Sequence, residues 1–271
     1  MQKEVTKSWA LFIGIGIIMI AHGLQMQLMG IRSVVENFSV ITTGIFMSGY
    51  FAGYFLGSKT TPLLVQKVGH IRVFAAFASL ASLSALLAAV YVNPLMWTLS
   101  RFITGISLVS CYIVTESWLN DRATNKNRGQ LLSAYFIILY TGLGIGMLLL
   151  NVSDPKNYEP FILVSVLLSL ALVPILLTKR SAPKFKKIGT ISVKELYEIS
   201  PLGTVSSFCT GLIHSAFFSL MAVYATKANF TLFETSILLF IATMAGVAFQ
   251  GPIGYFSDKL DRRKVIVAVT L

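Results

Sequence analysis

A succession of long apolar runs, broken only by short polar segments, limits what this chain can fold into more than any other feature. At a rise of about 1.5 Å per residue, about twenty apolar residues in a helix cross a hydrocarbon core of about 30 Å. Runs of that size are Ser8 to Ile31, Val40 to Leu64, Val73 to Val92, Pro94 to Leu119, Gly129 to Val152, Pro160 to Thr178, Pro201 to Thr226 and Leu232 to Ser257. Another opens at Val265, so the chain, stopping at Leu271, looks C-terminally truncated inside a ninth span. The run after the N-terminal MQKEVTK is too long for a signal-peptide core and lacks a small-x-small cleavage site, which makes it a retained first helix.

Hydrophobic residues make up 55% of the chain and charged ones 12%, about half the charged share of an average soluble domain. The net charge of +11 would suit nucleic acid in a soluble protein, but here the basic residues crowd into the breaks between spans. Of the 22 Lys and Arg, Arg32, Lys156 and Lys227 fall on the side opposite the N-terminus and Arg101 lies within a span. All the others fall on the N-terminal side, which by the positive-inside rule is the cytoplasm. No base-reading motif accompanies the charge, so no nucleic-acid partner is expected. Cys111 and Cys209 each lie in an apolar run with no Cys or His neighbour at ligand spacing, and read as small buried residues; no metal or cofactor is expected.

The segment KRSAPKFKKIGTISVKELYEIS, residues 179–200, is the one long polar linker. It divides the chain into a six-helix bundle (1–178) and an incomplete second bundle (201–271). Its basic block suits anionic lipid headgroups, and Ser192 with Glu195 three residues on marks the start of a short surface helix. A duplication supports the division: at one constant offset His22 matches His214, Leu28 matches Leu220, Met29 matches Met221, Thr43 matches Thr235 and Lys67 matches Lys259. A second unit as long as the first implies around twelve helices in a complete protein.

The most informative copy of that repeat is GYFSDKLDRRK, from Gly254 to Lys264. It resembles the signature loop of the major facilitator superfamily, Gly-x-x-x-Asp-Arg/Lys-x-Gly-Arg/Lys-Arg/Lys. Gly254, Asp258, Lys259, Arg262 and Arg263 match, and Asp261 replaces the second glycine. The first-half copy, PLLVQKVGHIR, keeps Lys67, Gly69 and Arg72 but has Pro62 and Gln66 in place of Gly and Asp. VGHIRVF, RFITGIS, ESWLN and NRGQLLSAY resemble a bacterial inner-membrane subgroup of the superfamily with no assigned substrate.

The resemblance implies an all-α, polytopic transmembrane helical bundle that moves a small solute by alternating access, coupled to protons. It places the protein in the bacterial inner membrane, multi-pass, as a monomer with a cytoplasmic N-terminus. It implies a cytoplasmic gate formed by the two loops together with Glu116, with Asp258 docking near Arg128 and Gly129 to latch the outward-open state. Arg101 matches the family's fourth-helix arginine associated with proton coupling.

The residues add detail. Arg101, Gly105, Leu108, Tyr112 and Glu116 recur at helical spacing, placing them on one face of the fourth helix, with Glu116 near Lys67, His70 or Arg72. His22, Gln25, Arg101 and His214 form the expected substrate and proton pathway, and the buried arginine favours an anionic or zwitterionic solute. Gly49, Gly53 and Gly57, and likewise Gly142 and Gly146, are spaced for close helix contact. A membrane enzyme fails on residues: the chain has no Gly-x-Ser-x-Gly elbow, no HExxH and no pair of intramembrane aspartates. A passive channel or a non-transporting receptor on the same scaffold is the alternative to coupled transport.

Overall fold

The computed structural model describes residues 9–124, 128–178, 192–259, 261, 264, 265, 267 and 268, with the side chains of 130, 250, 251 and 254–259 left aside. The described residues form α-helices joined by short turns: α1 (Trp9–Val35), α2 (Val40–Val68), α3 (His70–Val90), α4 (Pro94–Arg122) and α5 (Arg128–Leu149), which runs into a 3-10 turn, Leu150–Val152. Then follow α6 (Glu159–Leu170), α7 (Leu172–Leu176), α8 (Val193–Ile199), α9 (Pro201–Lys227) and α10 (Leu232–Lys259). Eight segments are long and apolar enough to cross a membrane, α6 and α7 together making one of them. These are the spans read from the sequence, shifted by a few residues at their ends.

The breaks have local causes. Pro174 lacks an N–H and its ring would meet the carbonyl four residues back, that of Leu170, which is where α6 stops before α7. Gly69 joins α2 to α3 with φ of 88°, a backbone conformation that a side chain would strain. Asn93 caps α4 by accepting from the Leu95 N–H at 2.8 Å, with Pro94 in the first turn where its missing N–H is harmless. The expected capping box at α8 is present: the Glu195 N–H donates to Ser192 Oγ, and the Ser192 N–H donates to Glu195 at 2.7 Å. Thr231 and Glu234 repeat that arrangement before α10.

Two parallel helix pairs frame the interior. Where α2 crosses α4, a methyl group on Gly53 would overlap the Phe102 carbonyl oxygen, and one on Gly105 would overlap that of Tyr50. Where α1 crosses α5, Gly23 meets the Leu143 carbonyl oxygen and Gly146 that of Ile20 in the same way. Gly53 and Gly146, read from the sequence as packing positions, thus let backbones touch, and Gly23 and Gly105 do the same without having been read so; such contact is the main source of helix attraction in a solvent as apolar as the side chains themselves. α1 is buried on almost all sides, whereas Ile41, Phe55, Val90 and Leu95 are exposed on outer faces, as suits helices bathed in lipid. Cys111 is buried, but Cys209 is exposed on α9, contrary to the sequence expectation.

Candidate functional site

A cavity of about 710 Å³ lies between α1, α2, α4, α5 and α9, toward the end of the molecule where α4 finishes and α5 and α9 begin. Its α1 wall is Met19, His22 and Met26, and its α2 wall Tyr50, Phe51 and Tyr54. Tyr112 and Glu116 come from α4, and Tyr135, Phe136 and Tyr140 from α5. The α9 side carries Ser206, Ser207, Thr210, His214 and Phe218. No Lys or Arg is among the described lining residues.

The opposite end is closed by contacts between the first six spans and the two that follow. Gln27 Nε2 donates to Ser236 Oγ at 2.7 Å, and a methyl group on Gly30 would sit 3.1 Å from Ala222 Cβ. Thr243 Oγ1 reaches the Met147 sulfur at 3.8 Å. At the same end Arg32 is tied to Glu36 at 2.6 Å and donates to the Pro155 carbonyl at 3.0 Å.

The residues expected on the pathway divide into two layers. His22 and His214 face the cavity; the His22 ring stacks on Tyr50 with centroids 5.3 Å apart, and His214 packs against Phe218 at 4.4 Å. Gln25 and Arg101 lie behind the wall. Gln25 Nε2 donates to Thr104 Oγ1 at 3.5 Å, and that hydroxyl also meets Ser84 Oγ at 2.8 Å. Arg101 is fully buried, its guanidinium carbon 4.7 Å from the Tyr50 ring centroid, with no hydrogen-bond partner for its three nitrogens among the described residues. Tyr50 is in contact with both layers.

Glu116 turns toward the cavity and accepts from the Tyr135 hydroxyl at 3.1 Å, and it makes no ion pair with Lys67 or Arg72, whose side chains are exposed. Its neighbour Ser117 meets the third helix instead, where its hydroxyl is 3.1 Å from His70 Nε2. Arg128 Nε donates to Asn120 at 3.0 Å. Of the remaining gate residues, Gly69 forms the α2–α3 junction, while Gly254, Asp258 and Lys259 occupy the last turns of α10, with side chains beyond those described. Arg262 and Arg263 lie outside the described residues.

The tyrosines were missed by the sequence reading, apart from Tyr112. Tyr50 and Tyr54 are four residues apart on α2, a signal in principle, but Phe55 on the same helix is 62% exposed on the outer face. Aromatic spacing alone does not separate cavity from lipid.

A bundle that is helical throughout its described residues, with this many membrane-length helices around an internal cavity, defines a polytopic membrane protein. The chain belongs to the Major Facilitator Superfamily, whose family model matches residues 11–271. It is similar to a protein of Escherichia fergusonii named an uncharacterized MFS-type transporter, YcaD, at 24% identity over 233 residues, 85% of this chain and 61% of that protein. The YcaD of Escherichia coli (strain SMS-3-5 / SECEC) is 25% identical over 235 residues, with the same coverage. The chain therefore spans 61% of the length of these relatives.

Proposed function

We propose that the protein is a secondary active transporter that moves a small solute across the bacterial cytoplasmic membrane by alternating access, coupled to protons. The observation that carries this reading is the cavity between the first bundle and α9, lined at one end and sealed at the other by Gln27–Ser236 and the Gly30–Ala222 contact. A passage sealed at one end at a time is what allows uphill movement without a leak. Residues 1–178 act as one rocking unit, 201–271 as the opening part of the second, and 179–200 as the cytoplasmic linker. The N-terminus is cytoplasmic on the distribution of Lys and Arg, so the cavity faces inward. In this reading the protein works as a monomer.

His22 and His214 are the candidate proton carriers at the cavity wall, with Arg101 and Gln25 setting the field behind it. Lys67, Gly69, Arg72, Glu116, Gly254, Asp258, Lys259, Arg262 and Arg263 form the cytoplasmic gate. Its closure brings Asp258 to the start of α5, where unpaired N–H groups favour a carboxylate. Solute screening in proteoliposomes with an imposed proton gradient tests the coupling. Uphill accumulation that collapses with a protonophore is expected, whereas equilibration without accumulation would make the protein a passive facilitator on the same scaffold.

A further inference from the structure

From the charge and ring content of this cavity, we infer that it accepts a lipophilic organic cation, with Glu116 as its counter-charge and the rings of Tyr54, Tyr112 and Tyr140 as its cage. The inference deepens the reading above and rests on it for the cavity being the solute path. The first argument is charge. Glu116 is the one carboxylate among the described lining residues, it is half-buried, and no Lys or Arg shares the wall. A cation entering from water meets the Glu116 carboxylate in surroundings that weaken screening, and with His22 and His214 neutral no positive group lines the wall to favour an anion.

The second argument is the rings. Tyr54 and Tyr112 lie 6.4 Å apart with their planes tilted by 48°, and both rings line the cavity. Cations are held within about 6 Å of such faces by the ring quadrupole. The protein already uses this chemistry one ring away, where Arg101 sits 4.7 Å over Tyr50. That contact takes the Tyr50 ring for an internal cation and leaves Tyr54 and Tyr112 open to the cavity. Tyr135 completes the site by donating to Glu116 at 3.1 Å, which fixes the carboxylate's direction without cancelling its charge.

The third argument removes the reason for expecting an anion. That expectation rested on Arg101 facing the solute, but Arg101 is fully buried and absent from the cavity wall. Its guanidinium lies against Tyr50 and offers the cavity no hydrogen-bond donor.

Equilibrium binding to the full chain purified in detergent micelles tests the inference, with empty micelles as the blank. Tetraphenylphosphonium, tetraphenylborate and neutral triphenylphosphine oxide serve as probes similar in their phenyl groups and different in charge. The cation is expected to bind saturably and at least about tenfold more tightly than either other probe. Glu116→Gln is expected to weaken the cation by about tenfold while leaving the neutral probe unchanged, and Glu116→Asp to retain most of the cation's affinity. Tetraphenylborate binding as tightly as the cation overturns the inference, as does equal cation affinity in Glu116→Gln. Saturable binding of none of the three overturns it too, without touching the transport reading, because alternating exposure of the cavity is measured independently of any ligand.

Discussion

Arg101 and Tyr50 are stacked across the α2–α4 interface: the guanidinium carbon lies 4.7 Å from the ring centroid, and Arg101 is fully buried. A desolvated contact of this kind contributes about 2 kcal/mol. Since the guanidinium has no hydrogen-bond partner among the described residues, the ring is what holds it. Tyr50→Leu is therefore expected to destabilise the protein by about 2 kcal/mol or more, and Tyr50→Phe, which keeps the ring, by less than about 1 kcal/mol. Thermal unfolding in detergent distinguishes them; equal losses would show that the ring face does not hold the arginine.

Arg101→Lys keeps the charge and loses the planar group that lies against Tyr50. If Arg101 serves proton coupling, the variant loses uphill accumulation while solute equilibration persists. Full accumulation in Arg101→Lys would reduce Arg101 to a structural pin.

Helix contact at Gly105 leaves no room for a methyl group, which would overlap the Tyr50 carbonyl oxygen. Gly105→Ala is expected to cost about 1 to 3 kcal/mol, because α2 and α4 must separate. Gly44→Ala, on the same α2 but with nothing within 4 Å of the added carbon, is the control and is expected to be neutral or slightly stabilising through helix propensity. Comparable losses in both variants would contradict the packing described.

The linker helix α8 carries a pH dependence of its own. Glu195 is held below the usual carboxylate range by the hydrogen bonds from Ser192. A carboxylate whose folded-state pKa is depressed adds stability above its unfolded value of about 4.3, and that stability is lost as the pH falls through the lower folded value. Amide protection of α8 is thus expected to be flat at neutral pH and to fall below about pH 4, and Glu195→Gln is expected to abolish that fall. Protection that declines equally in both proteins would assign the effect elsewhere.

Much of this architecture was legible because bilayer thickness dictates helix length and because Gly49, Gly53 and Gly57, like Gly142 and Gly146, leave a spacing that few other contacts require. The wall of the cavity was not. Treating Arg101 and Glu116 as one face ignores the drift of a 3.6-residue helix, which over the fifteen residues between them amounts to about 60°. That drift turns Glu116 toward Tyr135 on α5, while Arg101 ends behind Tyr50 on α2. Neither partner lies on α4, so no pattern within that helix reveals which of the two reaches the cavity.

Alternating access is the central claim, and a lock at the sealed end tests it most directly. Cysteines in place of Gly30 and Ala222 would have Cβ atoms near 3.1 Å, close to the roughly 3.5 to 4.5 Å of a disulfide, and oxidation would pin α1 to α9. With Cys111 and Cys209 replaced and a single reporter at Met26→Cys on the cavity wall, an impermeant maleimide is applied to sealed vesicles of each orientation. The account predicts labelling from both sides when the lock is reduced and from the cytoplasmic side alone when it is oxidised. Outer-side labelling that survives oxidation, or never occurs in the reduced protein, would contradict it.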